Sequence, residues 1–380
     1  MQWNPYATKE KTWIEKFIEQ PHQLFFTSAL VFAIFFMILS FASLLGANIN
    51  FNKFHIYGLV YGVFINAILG FLLTVIPRYT KSVLVKKEEY ISIFILYNIG
   101  VFLLFTNVLE FSKVFLGSSL LFSSIVFIET ILKGIDYKQT ESWYLAILIG
   151  IGAMLTILNS FIEFSFNIII FWWFLFPLVF TVASRMLPAF YAVYFNTSIK
   201  QKSPYFLPLT LFGFFLIGVF EMFELNILTS LVALIMGINI LYFIISNRLY
   251  IKAPAILSIL FIAISWLCIG FFALALEKMF LDYSLNLSLH IFTIGFLSTI
   301  LIGFGYRVVL GHSGNQIIAD RIAKTIFTMI QLALISRVFA SILFIVESKA
   351  WIGLVHLGIM FWIMLFTIWL VKHAKLLIRF

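Results

Sequence analysis

Long apolar stretches separated by short polar connections set the pattern of this chain. They occur near 24 to 46, 54 to 77, 90 to 109, 114 to 132, 142 to 160, 166 to 188, 205 to 223, 226 to 246, 254 to 276, 285 to 306, 324 to 346 and 350 to 371. Each is close to the roughly 20 residues that a helix needs to cross a bilayer. A backbone surrounded by lipid must satisfy its own hydrogen bonds, so each stretch is predicted as a spanning helix. Only short hinges such as Glu221 to Asn226 separate some pairs. The predicted fold is all-α: a polytopic membrane protein of about twelve transmembrane helices. Residues 1–380 form one transmembrane domain, whose polar segment 1–20 lies outside the lipid.

Composition sharpens this picture. The chain is 63% hydrophobic and only 11% charged, with a positive mean hydropathy. No soluble domain could hide that much apolar surface, so the bilayer is the first partner. The first sixteen residues are polar (Lys9, Glu10, Lys11, Glu15, Lys16), and no cleaved signal peptide is expected. A net charge of +9 raises the question of nucleic acid, and the placement of the bases answers it. Of the 25 Lys and Arg residues, 20 lie in the N-terminal tail, the C-terminal tail and every second connection. Lys53, Lys113, Lys278 and Lys349 stand on the opposite side, and Arg337 falls inside a helix. The bases therefore set topology rather than bind nucleic acid, and both termini are expected in the cytoplasm. The single cysteine, Cys268, lies in an apolar run, so intrachain disulfides and CxxCH haem attachment are excluded.

That orientation assigns each histidine a depth. His55 opens helix 2, His290 lies about a turn and a half into helix 10, and His356 lies similarly deep in helix 12. All three belong to the outer leaflet, whereas His22, His312 and His373 sit at the cytoplasmic boundary. An imidazole in hydrocarbon needs a hydrogen bond or a metal. If helices 2 and 10 are neighbours, His55 and His290 can take opposite faces of one haem iron, as a low-spin b-type centre. Hydrogen bonds to adjacent helices serve each imidazole as well, and spacing alone does not choose. Arg337, some thirteen residues (about 20 Å) along helix 11, suits haem propionates at that depth. An ion pair with Glu163, Glu221 or Glu347, or a helix carbonyl, suits it equally.

Two further groupings stand out. His356, Met360 and Met364 repeat every four residues, a stripe that can offer Cu(I) an imidazole and two thioethers, although methionine stripes commonly serve packing. At the inner face, Arg307, Gly311, His312 and Gly314 lie at the same level as Pro21, His22, Pro77 and Arg78. They form either a polar or metal pocket or a set of snorkelling bases. His373, in the basic tail, is expected to be solvated. Phosphate loops of the GxxxxGK[ST] type, HExxH, GxSxG, adjacent histidines and HxxxY are all absent. A complete oxygen-reducing site of the haem-copper pattern is therefore excluded.

Three blocks carry a family resemblance. His55-Ile-Tyr-Gly-Leu-Val-Tyr-Gly, continuing to Gly70-Phe-Leu-Leu-Thr and Ile76-Pro77, resembles helix 2 of the NnrS family. His290-Ile-Phe-Thr-Ile-Gly, continuing to Arg307-Val-Val-Leu-Gly-His312-Ser-Gly, resembles its HxFTxG and TRxxLGHTG segment, and Pro21-His22-Gln-Leu-Phe-Phe its PHRxFF block. The resemblance implies a bacterial inner-membrane protein that binds haem b and copper and acts in nitric oxide and nitrosative stress. It also implies a bundle distantly like haem-copper oxidase subunit I, in which helices 2 and 10 supply the low-spin haem ligands. The family's HxHE on helix 2 is here His55-Ile-Tyr57-Gly58, which puts copper in doubt. Carry-over is limited to His22, His55, His290 and His312. Two other classes compete with this expectation: a secondary transporter of twelve helices, and a divergent haem-dependent oxidoreductase acting on nitric oxide. The latter needs about three histidines around a second metal.

Overall fold

The computed structural model describes residues 12–162, 167–198, 203–281 and 284–378, and those residues are helical throughout apart from short connections. After a single turn at Trp13–Phe17 come twelve rods. They are α1 (Pro21–Leu44), α2 (Lys53–Thr80), α3 (Lys87–Leu103), α4 (Leu109–Leu132), α5 (Thr140–Phe161) and α6 (Asn167–Phe195). The second half holds α7 (Phe206–Met222), α8 (Asn226–Ser246), α9 (Ala255–Phe280), α10 (Leu287–His312), α11 (Arg321–Ile345) and α12 (Trp351–Ile378). Each rod falls on a predicted stretch. Ten are long and apolar enough to cross a membrane; α3 and α7 have 17 residues each and fall short of that length. The protein is thus an all-helical, multi-pass membrane protein with ten spans clear by length and composition.

Lipid gives helices no hydrophobic reason to associate, so shape and polar contacts hold the bundle. On α2, Gly58 and Gly62 let the Phe36 ring of α1 lie against the helix: a Cβ at Gly62 would stand 2.4 Å from that ring. Rings of Trp172, Phe176, Phe214, Phe271 and Phe292 lock α6, α7, α9 and α10 together at centroid separations of 5.0 to 6.5 Å. The helix α12 packs on α1 and closes the ring of helices. Gln23 Nε2 of α1 donates to the Leu377 carbonyl of α12 at 3.2 Å, so both chain ends stand at one face of the bundle.

Three rods form the centre. In the most apolar window, 89% of α2, 83% of α6 and 67% of α10 is buried, against 56% or less in the other seven long spans. These three are four helices apart, and each contains wide turns with i to i+5 hydrogen bonding, at Lys53–Ile65, Phe171–Leu175 and Ile291–Ser298. Such turns insert a residue into the helical repeat and rotate everything beyond it, which is why they recur at functional sites. On α2 and α10 they begin at or beside a histidine.

Candidate cofactor sites at the two ends of the bundle

The outer site is built from the first turns of α2 and α10. His55 is the third residue of α2 and His290 the fourth of α10, and their ring centroids lie 6.4 Å apart with 30° between planes. Phe51 stacks on the His55 ring at 4.7 Å. His290 Nδ1 bonds the Asn286 carbonyl at 2.8 Å; a carbonyl only accepts, so Nδ1 carries the proton and Nε2 keeps its lone pair. His55 Nδ1 is buried without a partner.

The turn before α10 is held from both sides. Asn286 adopts a left-handed conformation, φ 56°, immediately before the helix. The Glu277 carboxylate, at the end of α9, accepts from Ser288 N at 2.8 Å and from the Ser284 hydroxyl. Arg337 of α11 donates to the Leu285 carbonyl and to Ser341 Oγ, the latter at 2.7 Å. Of the partners considered for Arg337, the structure selects a carbonyl. Glu221 pairs instead with Lys278 at 2.9 Å, and Glu163 lies outside the described residues. Arg337 remains close enough to act electrostatically on both His55 and His290.

Beside this pair, positions 57 and 58 are occupied in a way that does not suit a metal. Tyr57 Oη accepts from Asn159 Nδ2 at 3.4 Å, and the buried Lys113 ammonium stands 5.6 Å from the Tyr57 ring centroid. Lys113 is anchored by the Asn159 carbonyl at 2.8 Å. Gly58 faces the Phe36 ring, where a Cβ would come within 2.7 Å. A fixed cation and a closed wall thus stand at these two positions.

The inner site joins the start of α1 to the end of α10. The His22 and His312 rings are 4.4 Å apart, centroid to centroid, at 53°. His22 is fully buried and neither of its ring nitrogens has a partner. His312 is half-buried and its Nδ1 bonds Gln20 Oε1 at 2.6 Å. Gly70 of α2 makes room for this end of α1, since a Cβ there would lie 2.5 Å from Phe25 and 3.3 Å from the His22 Cα. Arg78 is exposed at the end of α2 and acts electrostatically on both rings. Arg307 lies over the Phe190 ring at 3.9 Å rather than on a histidine.

Two expectations are corrected. His373 is not solvated: it is fully buried, with Nδ1 on the Trp369 carbonyl at 3.1 Å and its ring edge-on to Tyr306 at 4.7 Å. The last turns of α12 dock on α1 and α10 instead of entering solvent, and Lys372 bonds both Tyr306 and Asp320. The His356 stripe does not converge either. His356 packs edge-on against Phe41 at 5.2 Å, while Met360 and Met364 are 51% and 46% exposed on the outer surface of the bundle. Among the described residues no group of three or more His, Cys, Asp or Glu gathers. Glu277 and Asn286, which hold His290, were missed by sequence reasoning. The spacing of Asn286 four residues before His290 was their only signal.

A family model described as NnrS protein matches residues 16–380. Comparison with curated proteins finds no match.

Proposed function

The chain belongs to the NnrS family, and from that premise we propose a haem-binding inner-membrane protein of the NnrS type, acting in the response to nitric oxide and nitrosative stress. His55 and His290 hold one haem b between α2 and α10. The observation that carries this reading is their 6.4 Å centroid separation. Two imidazoles in trans on one iron, with metal–nitrogen bonds of about 2.0 Å, have centroids about 6.3 Å apart. The orphaned Nδ1 of His55 and the lone pair left on His290 support it further, because a buried nitrogen without a partner is costly and a ligating histidine typically donates its other N–H to a carbonyl.

A haem bound there supplies one-electron redox chemistry. The protein's own residues do the rest. Asn286 fixes the tautomer and direction of His290. Arg337 and Glu277 hold the turn that carries Asn286. Arg337 has N–H groups beyond the two it uses and offers them, with its charge, to a carboxylate at the outer edge. Histidines filling both axial positions leave no open position for nitric oxide, which favours electron transfer or protection of iron over turnover. The fixed Lys113 ammonium beside Tyr57 and the closed wall at Gly58 do not fit the copper that the resemblance also implies there, so the outer site is assigned haem alone. Both termini are assigned to the cytoplasm, consistent with their common face and with the basic connections.

The test is the reduced-minus-oxidised spectrum with haem quantification of the detergent-purified protein. One b-type haem is expected, lost or turned high-spin in His55→Ala and in His290→Ala. A protein free of haem after expression with ample haem supply would sink the proposal.

A further inference from the structure

We propose that His22 and His312 form a second, haem-independent site at the inner face, which takes one divalent first-row transition-metal ion in cis. Three observations carry it. His22 is fully buried with both nitrogens unpartnered, so one lone pair and one N–H lie idle in a place where water does not reach them. His312 donates Nδ1–H to Gln20, which leaves its Nε2 as an electron-pair donor. A neutral imidazole so tied has no second proton to offer an anion; what it accepts is a proton donor or a metal. Finally, the 4.4 Å centroid separation suits one ion. With bonds of about 2.0 Å, imidazoles at right angles on a metal have centroids about 4.5 Å apart, and trans imidazoles do not approach so closely. Ions with octahedral or tetragonal preferences accept such a cis pair, and nitrogen donors favour Cu(II) most strongly among them.

The remaining positions of the ion face the cytoplasmic mouth. Arg78 stands there, exposed and within electrostatic reach of both rings. Its charge balances an anionic co-ligand such as hydroxide and disfavours a bare dication, so affinity in the micromolar range is expected rather than the tight binding of a closed three- or four-donor site.

The experiment uses full-length, haem-loaded protein without a histidine tag, titrated with Cu(II) alone. One equivalent is expected to bind, with a tetragonal electron paramagnetic resonance signal split by two nitrogens. His22→Ala and His312→Ala should each weaken binding at least tenfold while the haem band is unchanged. Gln20→Ala, which leaves both imidazoles in place, should weaken it about tenfold through the lost second-shell bond. His356→Ala should have no effect. Absence of a bound equivalent in the wild type overturns the site, as does an equivalent that keeps its affinity when both His22 and His312 are replaced. If the buried His22 variant does not fold, the half-buried His312 variant and the wild-type nitrogen splitting decide: two nitrogens support the site and fewer overturn it. The haem reading is tested by its own band and stands or falls separately.

Discussion

The outer and inner histidine pairs share a helix, since α10 supplies His290 to one and His312 to the other, yet they are built differently. The outer imidazoles stand 6.4 Å apart on wide helical turns, ringed by a hydrogen-bonded loop. The inner ones stand 4.4 Å apart at ordinary helix ends, with a bare nitrogen pair on His22. Separation, more than residue type, decides what each pair can hold. Two angstroms distinguish a trans pair, which fits a metal at the centre of a macrocycle, from a cis pair, which fits a free ion with open positions.

The comparison breaks most decisively by exchange of ligands. His55→Ala should abolish low-spin haem and leave Cu(II) binding at the inner pair intact, and His312→Ala should do the reverse; a single variant that removes both would show that the two sites are one. Next in size is the outer loop. Arg337→Gln should lower haem affinity by about ten- to a hundredfold, the usual cost of losing an outer-shell partner, and should broaden the haem spectrum without altering inner metal binding. Unchanged haem affinity would remove Arg337 from the site. Smaller again is Gly62→Ala, which pushes the Phe36 ring aside and should cost about 1–3 kcal/mol of stability. Thermal denaturation followed at the haem band should shift downward, and an unchanged midpoint would mean that α1 gives way freely.

The smallest effect concerns Asp320, which caps α11 and lies outside the spans. Burial pushes its carboxyl up, but hydrogen bonds from Lys372 and from Ala323 N–H outweigh that and hold it below the usual carboxylate range. A lowered folded value means that the stabilisation is present above the unfolded value of about 3.9 and is lost as pH falls through the folded one. Below about pH 4 the wild type should therefore lose more stability than Asp320→Asn does. The difference should be slight because the side chain is half exposed.

Much of this was legible in the residues. Apolar length gave the rods because lipid leaves a backbone no alternative, and matching depth gave both histidine pairs once α2, α10 and α1 were neighbours. The family blocks gave the adjacency. What stayed hidden depended on contacts between distant segments. His373 reads as part of a basic tail, and only the docking of α12 on α1 buries it. Arg337 reads as a partner for acids, yet the turn at Leu285 reaches it first. The wide turns leave no mark in composition, and so neither does the spacing of the three central rods every four helices.

The order in which the chain is made follows from α10 serving both pairs. His22 and His55 leave the ribosome early, and their partners His290 and His312 follow more than 200 residues later. At about 5–20 residues per second that is a delay of about 10–50 s, during which each early histidine is half of a site. The first nine helices can assemble in the bilayer, but neither pair closes before α10 is inserted, and the turn that steadies His290 waits for α11. Loading is accordingly among the last events in the birth of this protein, and a chain truncated before α10 should enter the membrane as an empty shell.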